Sequence, residues 1–287
     1  MNRAAVAEPV EPAALTDALQ AAASRYGRLS DEQIRAMRRR RRTAVTMAAS
    51  ATGALALAFV GADWLKPAPI APAVWERTLA TRAGEMGTLR LADGSTVKLS
   101  GATKVRVRYA GNQRSAQLLA GQAYFDVAHD PSRPFTVRAG ASETRVLGTA
   151  FDLDLTRRQV ALAVYRGAVG FDPVDPARKP KGVVVRAGYR SNIAGGVAAA
   201  PVRFDPELPD WRQGWIDTAG MRLDDLAEML DRQGNVRIAT PREPLASTRV
   251  FGRFRTDNPR QLLGAMGEGF GFRVRDAGDR LTLEPAG

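Results

Sequence analysis

The sequence contains no cysteine and a single histidine, His129. Without thiols there can be no disulfide, no thiolate nucleophile and no cysteine-ligated zinc. One imidazole excludes multi-histidine metal sites, and no Gly-x-Ser-x-Gly element accompanies it to suggest a Ser-His-Asp triad. Acidic residues are in deficit as well: 30 Asp and Glu face 42 Lys and Arg, a formal net charge of +12. Such a surplus suits nucleic acid, anionic lipid or an acidic partner, and it fits a coding preference for arginine equally well. Otherwise the makeup, 45% hydrophobic and 25% charged, is that of a globular chain, and 287 residues suffice for one or two domains.

Long apolar runs are also scarce, and the one present is informative. Residues 43–62 carry no charge, with Ala54-Leu55-Ala56-Leu57-Ala58-Phe59-Val60 the most apolar part. A bilayer core needs roughly 20 mostly apolar helical residues. Arg38, Arg39, Arg40, Arg41 and Arg42 precede this run, and Asp63, Trp64 and Lys66 follow it. Arginines gather on the cytoplasmic side and tryptophan at the interface. The expectation is one transmembrane helix over 43–64 in a bacterial inner membrane, N-terminus cytoplasmic and C-terminal domains periplasmic. A cleaved signal peptide is the rival, given Ala-x-Ala triplets within 54–58 and 71–73 and a twin-arginine pair at Arg41-Arg42. The long segment ahead of the arginines favours a retained anchor. Within the tail, residues 1–42, two short helices are expected over 16–26 and 30–37, with Ser30 and Gln33 at capping-box spacing. Such a tail is too short for a core of its own and needs a partner or the membrane surface.

After a Pro/Ala-rich spacer, 65–85, the hydrophobic period becomes two. Strand-like runs alternate with turn residues about every 8 to 12 positions, beginning with a hairpin around Asp93-Gly94. The fold class expected is mainly β: an all-β domain over 86–200, as sandwich, roll or short solenoid, followed by a C-terminal α+β domain. Residues 173–180 read as a surface loop and 201–213 as a linker. Over 214–287 the pattern gives an amphipathic helix carrying Leu223, Leu226, Ala227, Met229 and Leu230, and strands at 235–239 and 249–253. A second helix opens at Pro259, and a final strand pair encloses Ala277-Gly278-Asp279.

Within the β region, Leu91-Ala92-Asp93-Gly94-Ser95-Thr96-Val97-Lys98-Leu99 is followed by Leu118, Gly121 and Ala123-Tyr124-Phe125-Asp126-Val127. Next come Arg133-Pro134-Phe135 with Val137, then Val146-Leu147-Gly148-Thr149 with Phe151, and Gly167 with Val169. In that order these residues resemble the FecR family of membrane-anchored sigma-factor regulators. The run from Gly220-Met221-Arg222-Leu223-Asp224-Asp225-Leu226 onward resembles the secretin/TonB short N-terminal domain. The resemblance implies a relay. The periplasmic part would bind the signalling domain of an outer-membrane TonB-dependent transducer, and the tail would hold or assist an extracytoplasmic-function sigma factor, in iron or siderophore uptake. Family tails are usually longer and contain tryptophan, whereas residues 1–42 have none. That departure motivates an alternative, a membrane-tethered periplasmic binding or structural module without sigma-factor contact.

Taken singly, the motif residues read as scaffold. Gly94 and Gly121 suit positive φ or close backbone approach, and Phe125, Phe135 and Phe151 should point inward. His129-Asp130-Pro131 reads as a loop between strands, its proximity to Arg133 incidental or turn-forming. Asp152 and Asp154 share one strand face and read as solvated rather than catalytic. Gly267-x-Gly269-x-Gly271 follows a helix instead of opening one, against a dinucleotide loop. Phe270 and Phe272 mimic an RNA-binding signature out of context and read as core or edge residues. No catalytic, cofactor or metal residues are assigned, no enzymatic activity is expected, and no direct nucleic-acid contact. The candidate partner-binding edge is Arg249, Phe251, Arg253, Phe254 and Arg255, where a partner strand could add by β-augmentation.

Overall fold

A computed structural model describes residues 74–175, 181–234 and 236–286, together with Thr16, Asp17, Gln20, Ala21, Glu32, Arg35 and Ala36. The chain divides into two units, Met1–Ala71 and Pro72–Gly287. In the first, the seven described residues are all helical and exposed, and they fall where two short helices were expected. The expected span 43–64 and its arginine flank, 38–42, lie outside the described residues. Among the described residues no helix is long and apolar enough to cross a membrane.

The second unit begins with alternation. In Lys104–Ala110, Val105 and Val107 are fully buried while Arg106 and Arg108 are exposed, so one face of the strand has been removed from water. The same alternation marks most of the strands, in a series that opens with β1 (Val74–Ala80), β2 (Gly87–Arg90), β3 (Thr96–Leu99), β4 (Lys104–Ala110), β5 (Gln113–Asp126), β6 (Phe135–Ala139) and β7 (Ser142–Val146). It continues through β8 (Ala150–Leu155), β9 (Gln159–Arg166), β10 (Ala168–Pro173), β11 (Val183–Arg186), β12 (Tyr189–Ala194), β13 (Val197–Ala198) and β14 (Val202–Arg203). They form two sheets that share β5. One runs β1-β4-β5-β6-β7-β10-β11, and the other runs β2-β3-β5-β8-β9-β12, with β13 and β14 on the outer edge of β12. The inner faces close a sandwich core in which Phe125, Phe135, Phe151 and Phe171 are wholly buried, as expected for the first three. Phe125 and Phe151 stack with centroids 5.2 Å apart.

By period alone, 115–119 and 122–128 read as separate strands with Gly121 at a turn between them. Instead Gly121 is a bend within one strand, at φ +83°. Before it β5 pairs with β4 and β6, and from Gly121 on it pairs with β3 and β8. A Cβ at Gly121 would stand 2.3 Å from Thr103 Oγ1, which accepts the adjacent Gln122 N–H at 3.0 Å. The parallel return to β6 is held by Arg114, itself only 3% exposed. Its guanidinium donates to the Arg133 carbonyl at 2.8 Å and to Asp93 at 2.7 Å. Asp130 takes hydrogen bonds from Ser132 and Arg133, and the His129 segment is a loop between β5 and β6, as expected.

The remainder folds over a second core. A single turn of 3-10 helix, Trp211–Gln213, is capped by Asp210. There follow β15 (Trp215–Asp217), β16 (Met221–Arg222), α1 (Leu223–Gln233), β17 (Arg237–Ile238), β18 (Arg249–Val250), β19 (Arg253–Arg255), α2 (Pro259–Phe270), β20 (Phe272–Asp276) and β21 (Arg280–Pro285). Asn258 caps α2 and Pro259 occupies its first turn, where a missing N–H costs nothing. Leu223, Leu226, Leu230, Val250, Leu263 and Leu281 are fully buried between the two helices and the three-stranded sheet β17-β21-β20.

Three boundaries differ from expectation. Val74–Ala80, expected within the spacer, is strand β1, because Leu79 reaches the sandwich core and Trp75 stacks on Tyr109. The expected linker is pinned: β14 pairs with β12, and Phe204 packs edge-on against Tyr165. The strand expected over 249–253 is broken by Gly252, at φ +142°. Of the expected loop 173–180, Pro173 closes β10, and 176–180 lie outside the described residues.

Candidate functional site

Asp152 and Asp154 do share one strand face, but that face is not solvated. They are 6% and 5% exposed, because the C-terminal module lies against it. Asp154 is paired with Arg232 of α1 at 2.6 Å, and the same guanidinium donates to the Leu155 carbonyl at 3.1 Å. Burial pushes the Asp154 carboxyl up against the opposing pull of Arg232. The Arg232 carbonyl accepts the Gly84 N–H at 3.0 Å and sits so close to Gly101 that a Cβ there would approach it to 1.9 Å. Asp152 has no cation partner among the described residues. It accepts from Trp211 Nε1 at 2.9 Å and from Gln122 Nε2 at 2.7 Å, and burial raises its pKa to about 7 against those two bonds. Gln122 Oε1, turned from Asp152 by this arrangement, is buried without a partner.

A rim of charge pairs surrounds this centre: Arg157–Glu228 at 3.0 Å, Arg158–Asp224 at 3.7 Å and Arg190–Asp217 at 3.1 Å. Arg157 also donates to Thr240. The Tyr165 hydroxyl donates to Asp210 at 2.8 Å, and the Arg212 guanidinium lies 3.9 Å from the Tyr124 ring centroid. A cavity of about 780 Å³ opens along the seam, lined among others by Gln122, Asp152, Arg190, Asp225 and Met229. No three His, Asp or Glu side chains among the described residues are placed to hold a metal ion. The arrangement is a docking surface made of one buried ion pair, one uncompensated carboxyl and an exposed charged rim.

The expected partner-binding edge lies elsewhere on the module. Arg249–Val250 pairs with Met221–Arg222, and Arg253–Arg255 pairs with Trp215–Asp217, in separate two-stranded ribbons. Phe251, between them, is 65% exposed and lies over Gly220. Arg249 donates to the Gly220 carbonyl at 2.9 Å, and Arg255 pairs with Asp257 at 2.7 Å. Arg253 is half-buried, packs over Trp215 and donates to the Pro209 carbonyl, while Phe254 packs against the second core. The five residues therefore divide: Arg249, Phe251 and Arg255 face outward, Arg253 and Phe254 hold the module together. Gly267 meets the Phe272 carbonyl, where a Cβ would be 2.4 Å away, so the glycine-rich stretch serves helix–strand packing.

Sequence reasoning missed Trp211, Gln122 and Arg232. The signal that could have found them is β9, whose outward positions are Ala161 and Ala163 rather than charges, the mark of a face that is covered.

Residues 77–170 match the family model described as FecR protein. No curated protein matches the chain. Two crystal structures, at 2.50 and 1.65 Å, of a provisionally assigned anti-sigma factor from Parabacteroides distasonis ATCC 8503 superpose with a TM-score of 0.65 at 21% identity. Each covers 74% of this chain and 100% of its own, and at that identity the likeness is one of fold. Residues 77–170, which form most of the sandwich and carry its buried Asp152–Asp154 face, are a FecR domain.

Proposed function

We propose that this protein is a sigma-factor regulator anchored in the bacterial inner membrane, acting by binding and not by catalysis. In this reading residues 43–64 span the membrane and the unit from Pro72 lies in the periplasm. There it would receive the signalling domain of an outer-membrane TonB-dependent transducer serving iron or siderophore uptake. Residues 1–42 would contact an extracytoplasmic-function sigma factor. The observation that carries it is the FecR domain itself, continuous with a second module that keeps Phe251 and the outer sides of β18 and β19 unpaired. Support also comes from the fold shared with a protein assigned as an anti-sigma factor.

Two experiments test the two ends. Deleting 215–287 should abolish capture of the transducer signalling domain by the purified chain; undiminished capture would sink the periplasmic half of the reading. In a two-hybrid assay, residues 1–42 should bind a sigma factor of the same organism. Interaction with none of them would favour a membrane-tethered module without sigma-factor contact.

A further inference from the structure

We infer that the seam between the FecR domain and the C-terminal module is a pH-responsive dock, which opens more readily as the surroundings become alkaline because Asp152 is buried there without a cation. The geometry sets the terms. Asp152 faces the module from β8, and among the described residues its oxygens are met only by the neutral donors Trp211 Nε1 and Gln122 Nε2. A buried carboxylate met only by neutral groups is costly, whereas the protonated acid is not.

The other charges around it are paired, except Asp225 of α1, a second buried carboxyl at the seam that burial also pushes up and that is held by Thr156. On β8 Asp154 is neutralised by Arg232 of α1, whose field also reaches Asp152. From the linker, Asp210 is paired with Arg212 and bound by the Tyr165 hydroxyl of β9. Arg190 of β12 is engaged by Asp217 of β15, and Arg157, next to the seam, by Glu228 of α1. Tyr124 of β5 lies beneath Arg212, and Arg253 of β19 holds the Pro209 carbonyl. The net influence of Asp154 and Asp210 on Asp152 is repulsive, in the same direction as burial.

The sign follows. An exposed Asp titrates near 4, and docked Asp152 titrates at about 7, so docking takes up a proton. Docking is strongest in acid, weakens as pH rises between those two values, and levels off above about 7. Between about pH 6 and pH 8 the docking equilibrium should fall on the order of tenfold.

The test is hydrogen exchange on the full chain in detergent micelles, with rates corrected for base catalysis. Two exchangeable protons that cross the seam serve as reporters: the Gly84 amide, given to the Arg232 carbonyl, and the Trp211 indole N–H, given to Asp152. In the wild type their protection should fall on the order of tenfold from about pH 6 to pH 8, while β5 core amides such as that of Ala123 keep theirs. Asp152→Asn should flatten that profile, since an amide can meet both Trp211 and the unpartnered Gln122 Oε1 at any pH. A flat wild-type profile overturns the inference, and so does an Asp152→Asn profile as steep as the wild type's. Should Asp152→Asn fail to protect the core amides, Gln122→Leu decides. Losing the amide donor should move the midpoint to higher pH, and an unmoved midpoint is equally fatal.

Discussion

Arg232 is the residue through which the two modules meet most directly. Its guanidinium and its carbonyl both cross the seam, to Asp154 and Leu155 in one direction and to Gly84 in the other. Removing one member of a buried pair leaves the other charged and unsatisfied, typically costing about 3–5 kcal/mol. Arg232→Ala and Asp154→Ala should each therefore lower stability by about that much in denaturant titration. Replacing both with apolar residues of similar volume should recover most of the loss. Arg157→Ala, at an exposed pair on the rim, should cost below about 1 kcal/mol. Residue-level legibility was uneven. Phe125, Phe135 and Phe151 announced their burial by strand alternation, and Pro259 its helix start. Asp152 and Asp154 did not, because a polar face on an alternating strand means solvent unless something distant covers it. What covers it begins at Trp211, nearly sixty residues later, and no local pattern states that contact.

At the scale of elements, β5 governs the sandwich, since each sheet contains half of it. Gly121 makes this possible through its positive φ and its contact with Thr103. A side chain there must be strained in both respects, so Gly121→Ala should destabilise by about 2 kcal/mol or more, read as a lowered midpoint with unchanged slope. Most elements were readable from period alone: the hairpin at Asp93-Gly94, helix α1 with its apolar stripe, and the closing pair β20 and β21. Two of the misreadings share one cause. Glycine reads as punctuation at 121, where the strand runs through it, and as part of a strand at 252, where the strand stops. A single glycine offers the same freedom in both places, and only the neighbouring chain decides how it is used.

For the whole molecule, the expected topology is the widest claim and the simplest to check. Alkaline phosphatase fused after Gly287 should be active in cells, and the same fusion after Met37 inactive, with the chain in the membrane fraction. Alkaline-resistant membrane association with both fusions inactive would overturn the orientation. The fold class was legible because two periodicities divide the sequence, two residues through the sandwich and near 3.6 in α1 and α2. The docking of the modules was not legible, since it depends on pairs such as Arg190–Asp217 and Asp154–Arg232, far apart in sequence and matched only in space.

Strand β1 has a mechanical consequence. It opens the described part of the second unit, is almost wholly exposed, and is bound to the sandwich through one ladder, with β4. Any pull applied through the preceding segment reaches that ladder before it reaches either core or the seam. Beginning at Val74 opposite Ala110, it can come apart pair by pair, breaking the Trp75–Tyr109 stack near the outset. What tension uncovers is then the edge of β4, a seven-residue row of unpaired backbone groups able to accept another strand.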